Sequence, residues 1–144
     1  MSGVSGQREN RRRARVQAVQ HLYGREMQGV LGAEDHAGAP GDEAPSPFAL
    51  ELIGHASAQL AEIDRLLASA LQNWDISRLA AVDRAVLRVA VGELLSQHDI
   101  PAAVTINEAI EIARNLGSAE SARFVNGVLD RVRKEIGRDA RATN

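Results

Sequence analysis

The chain has 144 residues, 44% of them hydrophobic and 25% charged, with a formal net charge of −2. This size and apolar content suit one domain with one core. The small net charge excludes a polycation, so any nucleic-acid binding must come from a local basic patch. There is no cysteine, which excludes a disulfide scaffold, a zinc finger and a thiol nucleophile, and suits a cytosolic protein. We expect no membrane span and no secretory signal.

The first part of the chain is predicted to form a helix followed by a long loop. We expect residues 1–7 to be a flexible tail and residues 8–28 to be helical, with Gly29 and Gly32 ending the helix. Residues 29–47 are rich in glycine, proline and acid. This composition predicts a mobile acidic loop, which is either dispensable or regulatory.

Helical periodicity continues through the rest of the chain. We predict further helices at about 47–57, 58–73, 77–81, 82–97, 102–116 and 119–137. Ser77 and Ser118 are the expected N-caps of two of them, and Trp74 is expected to close the third helix as a core cap. The 82–97 segment is apolar on two sides, which is typical of a helix at the centre of a bundle. No segment alternates with period two, so the predicted fold is an all-α bundle of about seven helices.

Nothing in the sequence supports catalysis. The four histidines are His21, His36, His55 and His98, and none has the spacing of a metal-binding pair. Glu108 and Glu111 lie three residues apart, which is interpreted as helix solvation or capping. The string Thr105–Glu108 matches a capping box but falls inside a predicted helix. Glycine-rich phosphate loops and nucleophile motifs are absent from the sequence, and we expect neither an enzyme nor a metal or cofactor.

The strongest chemical signal is a group of arginines near the N-terminus. Its members are Arg8, Arg11, Arg12, Arg13 and Arg15, with one acid, Glu9, among them. All except Arg13 share one face by helical spacing. Cations at a helix start oppose the helix dipole, which suggests that a ligand selected this pattern. Guanidinium groups bind phosphates and stack on bases. The alternative is a solvated basic segment that binds nothing.

Several ordered strings of the sequence resemble the NusB family. They are RRRARVQAVQHLY at 11–23, VDRAVLRVAVGELL at 82–95, DIPAAVTINEAIEIARNLG at 99–117 and SARFVNGVLDRV at 121–132. Residues 29–71 match only in helical character. The resemblance implies a single all-helical domain over residues 1–144, built of two packed helical subdomains. One departure is Gly92, where family members often carry a larger residue.

The resemblance also implies a function without catalysis. NusB proteins bind the boxA element of nascent RNA, form a heterodimer with the ribosomal protein NusE and join RNA polymerase with other Nus factors. The expected role is therefore cytoplasmic transcription antitermination in ribosomal RNA operons. Some family members form homodimers, and the sequence leaves open whether this chain does so.

Functional residues carry over at three places. The family's RNA-facing helix matches Arg11, Arg12, Arg13 and Arg15, to which Arg8 is added by helical spacing. The start of the last helix, near the RNA surface in the family, supplies Arg123 for phosphate, Phe124 for base stacking and Asn126 for a base edge. Tyr23 and Asp83 match the NusE-facing surface. Structural roles remain as alternatives: core packing for Phe124 and Tyr23, and a favourable helix-start charge for Asp83.

Two other functions are consistent with the sequence. One is a helical protein-interaction module without direct RNA contact, suggested by the long loop and by an aromatic content of only 3%. The other is an RNA-binding domain related to those fused to ribosomal RNA methyltransferases, against which the length of the chain argues.

Overall fold

The structure is a computed structural model that describes residues 3–32, 44–72 and 74–138. Its six α-helices and one 3₁₀ helix are α1 Gly3–Met27, α2 Pro47–Ala58, α3 Leu60–Leu71, the 3₁₀ helix Ile76–Arg78, α4 Ala81–Ser96, α5 Ala102–Leu116 and α6 Ala119–Glu135. None of these described residues forms a strand. The predicted all-helical architecture is therefore confirmed. Within the same ranges, every helix is too short or too polar to cross a bilayer.

Helix α1 is longer than the sequence predicted. It begins at Gly3, so residues 3–7 are helical and the expected flexible tail is wrong for them. The helix ends where predicted, since Gly29 and Gly32 follow it with φ values of 75° and 92°, which glycine adopts without steric cost. Of the predicted loop, residues 29–32 and 44–46 are non-helical, and residues 33–43 lie outside the described part of the chain.

The α3 segment corrects two expectations. The helix ends at Leu71, and the following residue, Gln72, has a φ of 59° that turns the chain away. Trp74 therefore lies beyond the helix and is 59% exposed, so the prediction of a core cap is wrong. The 3₁₀ helix is capped by Asp75, whose side chain accepts a hydrogen bond from the Ser77 N–H. Ser77 was the predicted cap, but a carboxylate two residues ahead of a free N–H is well placed to take that role.

Helix α4 forms the centre of the bundle, as its two apolar faces predicted. It contacts all five other α-helices, and its residues from Ala85 to Leu94 are buried. Helices α5 and α6 begin where predicted. Ser118 caps α6 by accepting a hydrogen bond from the Ser121 N–H, as expected. Aliphatic side chains of all six helices form one core around α4, which gives the surface residues of α1, α5 and α6 a rigid support.

Gly92 lies where α4 passes close to α2 and α3. A Cβ atom built on Gly92 would lie 3.5 Å from the Cα of Ala56 and 3.5 Å from the Cδ1 of Ile63. These are ordinary van der Waals separations, so the site has room for a methyl group and little more. The departure at Gly92 therefore accompanies a close helix approach.

We expect Gly92→Ala to raise the free energy of unfolding by about 0.5–1 kcal/mol, because alanine is the better helix former. Gly92→Leu should lower it by about 1–3 kcal/mol through overpacking. Urea unfolding measures both changes. Gly127→Ala is the matched control, since no described atom lies within 4 Å of its Cβ position and only helix propensity changes. Destabilisation by Gly92→Ala alone would show that the backbones approach more closely than the structure indicates.

Candidate nucleic-acid interface

The α1 arginines gather around a surface cavity of about 350 Å³ between α1 and α5. It is lined by Gln7, Arg8, Arg11, Arg12, Arg15, Val104, Asn107 and Glu108. The shared face predicted from helical spacing is thus observed. Arg13 lines a neighbouring cavity of about 400 Å³ against the start of α2, together with Arg11 and Phe48, so it points elsewhere as predicted. Both cavities open at the N-terminal half of α1.

Arg15 is a structural residue. It is only 4% exposed, and its Nε and Nη2 atoms donate to the two carboxylate oxygens of Glu93 at 2.9 and 2.7 Å. The Thr105 hydroxyl donates to the same carboxylate at 2.8 Å, so the capping-box match at Thr105 is accidental. A bidentate pair at this depth holds Arg15 inside the protein. This burial and pairing disfavour an RNA contact by Arg15, which stays an untested prediction.

Arg12 makes a second bidentate pair, closer to solvent. Its Nε and Nη2 atoms donate to the oxygens of Glu108, both at 2.9 Å. The Arg12 side chain is 47% exposed and that of Glu108 is 11% exposed. The hydrogen bond from Arg12, helped by its charge, holds the pKa of Glu108 below its usual value, and the pKa of Arg12 is raised in return. The pair therefore stays ionised at neutral pH.

Arg8 and Arg11 complete the surface. Arg8 is exposed, and the Arg11 guanidinium lies 5.3 Å from the centre of the Phe48 ring. The Arg15 guanidinium lies 5.5 Å from the same ring. Such cation–π contacts fix the orientation of a guanidinium. Phe48 therefore orients the guanidinium groups of Arg11 and Arg15. We call Arg8, Arg11, Arg12 and Arg13 the arginine surface.

The helix dipole plays little part at this surface. The dipole effect falls off within the first turn, and α1 begins at Gly3. Arg11, Arg12 and Arg15 lie two or more turns further on. The argument that these cations oppose the dipole is therefore weaker than the sequence suggested, and Glu93 and Glu108 give two of them an intramolecular reason to be present.

The α6 candidates lie at a different place. A cavity of about 380 Å³, here called the Phe124 cavity, lies at the start of α6. It is lined by Trp74, Arg78, Leu79, Ala80, Asp83, Ser118, Glu120, Ser121 and Phe124. Phe124 packs partly against the core and also lines this cavity, so core packing accounts for part of its environment and base stacking stays a prediction. Asp83 is buried, and its Oδ1 atom has no hydrogen-bond partner among the described residues. Arg123 and Asn126 are exposed on α6.

Ion pairs show how the two places are related. Arg15 pairs with Glu93 near the end of α4, whereas Glu26 pairs with Arg84 and Arg88 near its start. Helices α1 and α4 are therefore antiparallel. The arginine surface lies at the C-terminal end of α4 and the Phe124 cavity at its N-terminal end, roughly 15 Å apart at 1.5 Å per residue.

The predicted site residues therefore fall into two groups. The first group is the arginine surface. The second group consists of Asp83 and Phe124, which line one cavity. Tyr23, which is 38% exposed, lies one turn before Glu26 and so at the Asp83 end of the molecule. Asp83, expected for the protein partner, thus lies beside Phe124, expected for a base.

Several charged residues form ion pairs between helices that were not predicted from the sequence. Glu26 accepts from Arg84 at 3.0 Å and from Arg88 at 2.9 Å, and Arg88 also binds Asp64. Burial opposes the ionisation of Glu26, but the hydrogen bonds of Arg88 and Arg84 outweigh it and lower its pKa. The signal was present, because Arg88 and Glu93 interrupt the apolar stripes of α4. A charge in such a helix indicates a buried partner.

No group of three or more histidines and acids is placed to hold a metal ion within the described ranges.

Sequence similarity to known proteins identifies the family of the chain. A sequence model described as the NusB family matches residues 12–134, which include α2 to α5, most of α1 and all of α6 except its last residue. The chain belongs to the NusB family.

Relatives within the NusB family match along most of the chain. The transcription antitermination protein NusB of Bacillus pumilus is 36% identical over 126 residues, which are 88% of this chain and 96% of that protein. The protein of the same name from Desulfitobacterium hafniense is 42% identical over 135 residues, covering 90% and 91%. The solved structure of T. maritima NusB superimposes with a TM-score of 0.73 at 39% identity, covering 87% and 91%.

We expect Arg15→Met to lower the free energy of unfolding by about 3–5 kcal/mol, because it leaves the Glu93 carboxylate buried without its partner. Arg8→Met, at an exposed position of the same helix, should change it by less than about 0.5 kcal/mol. Urea unfolding compares the two. Adding Glu93→Leu to Arg15→Met should recover part of the loss. Equal stability of the two single variants would contradict a structural role for Arg15.

Proposed function

We propose that this chain is a transcription antitermination factor that binds boxA-type RNA together with the ribosomal protein NusE and so supports transcription of ribosomal RNA operons. In this proposal it acts as a single domain in the cytoplasm, as part of an RNA polymerase complex with other Nus factors, and catalyses no reaction. Membership of the NusB family and similarity to transcription antitermination proteins NusB support it. A protein-interaction module without RNA contact remains the competing function.

The observation that carries the proposal is the arginine surface. Arg8 and Arg12 are exposed beside the α1–α5 cavity, and Arg11 is held there by Phe48. Because the net charge of the chain is −2, this local concentration of guanidinium groups is a specific feature and not part of a general positive field. Planar guanidinium groups bind phosphate oxygens bidentately, which suits a single-stranded RNA backbone.

The Phe124 cavity supplies the second part of the proposed interface. Phe124 offers an aromatic ring to an unstacked base, Asn126 a base-edge contact and Arg123 a phosphate contact. A strand passing from the arginine surface to this cavity would follow the length of α4. Both groups then contact one RNA at separate points.

The same cavity supports a role for the protein partner. A buried carboxylate oxygen without a hydrogen bond is unfavourable, and the Asp83 Oδ1 atom is such a group among the described residues. Because Oδ1 itself is buried, a donor from NusE would satisfy it only after the Asp83 side chain turns into the cavity that it lines. The exposed Tyr23 ring would add apolar contact. Partner docking and RNA binding would therefore meet at the start of α4.

The test is fluorescence anisotropy with boxA RNA over a salt series, with and without NusE. The double variant Arg8→Ala/Arg11→Ala should lower affinity about tenfold and reduce the salt slope of log K by about 1.4, at about 0.7 per single-strand phosphate. Arg65→Ala, which removes an exposed arginine from α3, is the matched control and should change neither quantity.

Asp83→Asn extends the same experiment to the partner. It should weaken the gain in RNA affinity that NusE provides while leaving the affinity for RNA alone nearly unchanged. Light scattering of the free protein in parallel reports whether it forms a homodimer that RNA and NusE dissociate. Binding of NusE without any RNA binding in either condition would favour the interaction module and contradict the proposal.

A further inference from the structure

The Arg12–Glu108 pair has the geometry of an arginine–phosphate contact. A guanidinium offers two edges to an anion, one formed by Nε with one Nη atom and one formed by the two Nη atoms. Glu108 occupies the first edge completely, with both hydrogen bonds at 2.9 Å. A phosphate would bind either edge through two oxygens in the same way. The carboxylate therefore stands where a ligand oxygen pair would stand.

Glu108 also lies among the other cations of the cavity. It lines the α1–α5 cavity with Arg8 and Arg11, and the charges of Arg15 and Arg8 add to that of Arg12 in lowering its pKa. Because it projects from the middle of α5 and is 11% exposed, its position is set by the core. A fixed negative charge at this point repels an incoming phosphate as well as holding Arg12.

The two bidentate pairs of α1 differ in how they can respond to a ligand. The Arg15–Glu93 pair is enclosed, with side chains 5% and 1% exposed, so no ligand reaches it. Arg12 is nearly half exposed, so water or phosphate can reach its guanidinium, and a displaced Glu108 would still have the positive charges of Arg15 and Arg8 near it. Exchange of partners is therefore feasible at Arg12 and not at Arg15.

We propose that Glu108 is an intramolecular competitor of RNA phosphate for Arg12 and thereby limits the affinity of the arginine surface for polyanions. This inference rests on the proposed RNA-binding function and adds a residue that regulates it. RNA binding then includes exchange of the carboxylate for a phosphate at one guanidinium. The affinity of the protein is set by this competition as well as by the number of arginines.

The decisive variant is Glu108→Gln, which keeps the shape of the side chain and removes its charge. It should strengthen binding of boxA RNA about threefold to tenfold at about 0.1 M salt and steepen the salt slope by about 0.7, the value for one added phosphate contact. A scrambled RNA of the same length should gain equally, because a phosphate contact carries no sequence information.

Glu111→Gln is the matched control. It removes the same charge from α5 one turn further on, where Glu111 is exposed and pairs with Arg114. Its effect should be smaller than that of Glu108→Gln, and its salt slope should equal that of the wild type. Glu108→Asp keeps the charge but shortens its reach to Arg12, and it should give an intermediate gain. Thermal unfolding of each variant establishes that the protein is folded.

A thermodynamic cycle identifies the route of the effect. In the Arg12→Ala background, Glu108→Gln should give no more gain than Glu111→Gln gives in the wild type. A full gain there would show that Glu108 acts through general repulsion and would overturn competition at Arg12. Weaker binding by Glu108→Gln in the intact background would show that Glu108 positions Arg12 for RNA, which also overturns the proposal.

Inorganic polyphosphate, which carries phosphates without bases, separates this inference from the proposed function. If polyphosphate binding increases on Glu108→Gln but boxA RNA fails to bind even with NusE, the competition stands and the proposed function fails. If boxA RNA binds as proposed but neither ligand gains on Glu108→Gln, the competition fails and the function stands.

Discussion

The arrangement of the molecule depends on two clusters of charge that hold α1 antiparallel to α4. At one end Arg15 and Glu93 pair inside the protein, and at the other Glu26 joins Arg84 and Arg88. A charge that loses its partner inside a protein is strongly destabilising. Each cluster therefore opposes any sliding or rotation of α1 on α4. The exposed residues of α1 are carried in a defined position as a result.

This constraint explains why neighbouring arginines have different roles. Arg15 faces α4 and is neutralised inside the protein, Arg12 faces α5 and is shared with solvent, and Arg8 lies in the open. These three residues lie on one face of α1, so their positions along the helix, and not its rotation, separate the enclosed cation from the accessible ones over two turns. Arg11 is intermediate in exposure, and the Phe48 ring orients its guanidinium. The sequence predicts one basic patch, but in the structure its arginines lie in three different environments.

Much of the fold could be predicted because periodicity and punctuation are local signals. The bounds of α5 follow from Pro101 and Gly117, the cap of α6 from Ser118, and the central place of α4 from its two apolar faces. The prediction of Trp74 as a core cap was wrong because no sequence pattern signals the backbone turn at Gln72. The early start of α1 was missed because residues 3–7 carry little apolar periodicity.

The site could be predicted only in part. Helical spacing placed four arginines on one face, and they do line one cavity. Spacing could not reveal which of them meet acids from α4 and α5, because those pairs join residues 78 and 96 positions apart. The resemblance to the NusB family named Asp83 and Phe124 for different ligands, and only the three-dimensional fold brings them into one cavity.

The most direct test is to observe the arginine side chains themselves by NMR. In ¹⁵N-labelled protein, the Nε–H signals of Arg15 and Arg12 should exchange with water more slowly than that of Arg8. On addition of boxA RNA, the signals of Arg8, Arg11 and Arg12 should shift while that of Arg15 stays in place. An Arg15 signal that exchanges as fast as that of Arg8 and shifts with the RNA would contradict the division of the arginines into buried and RNA-facing groups.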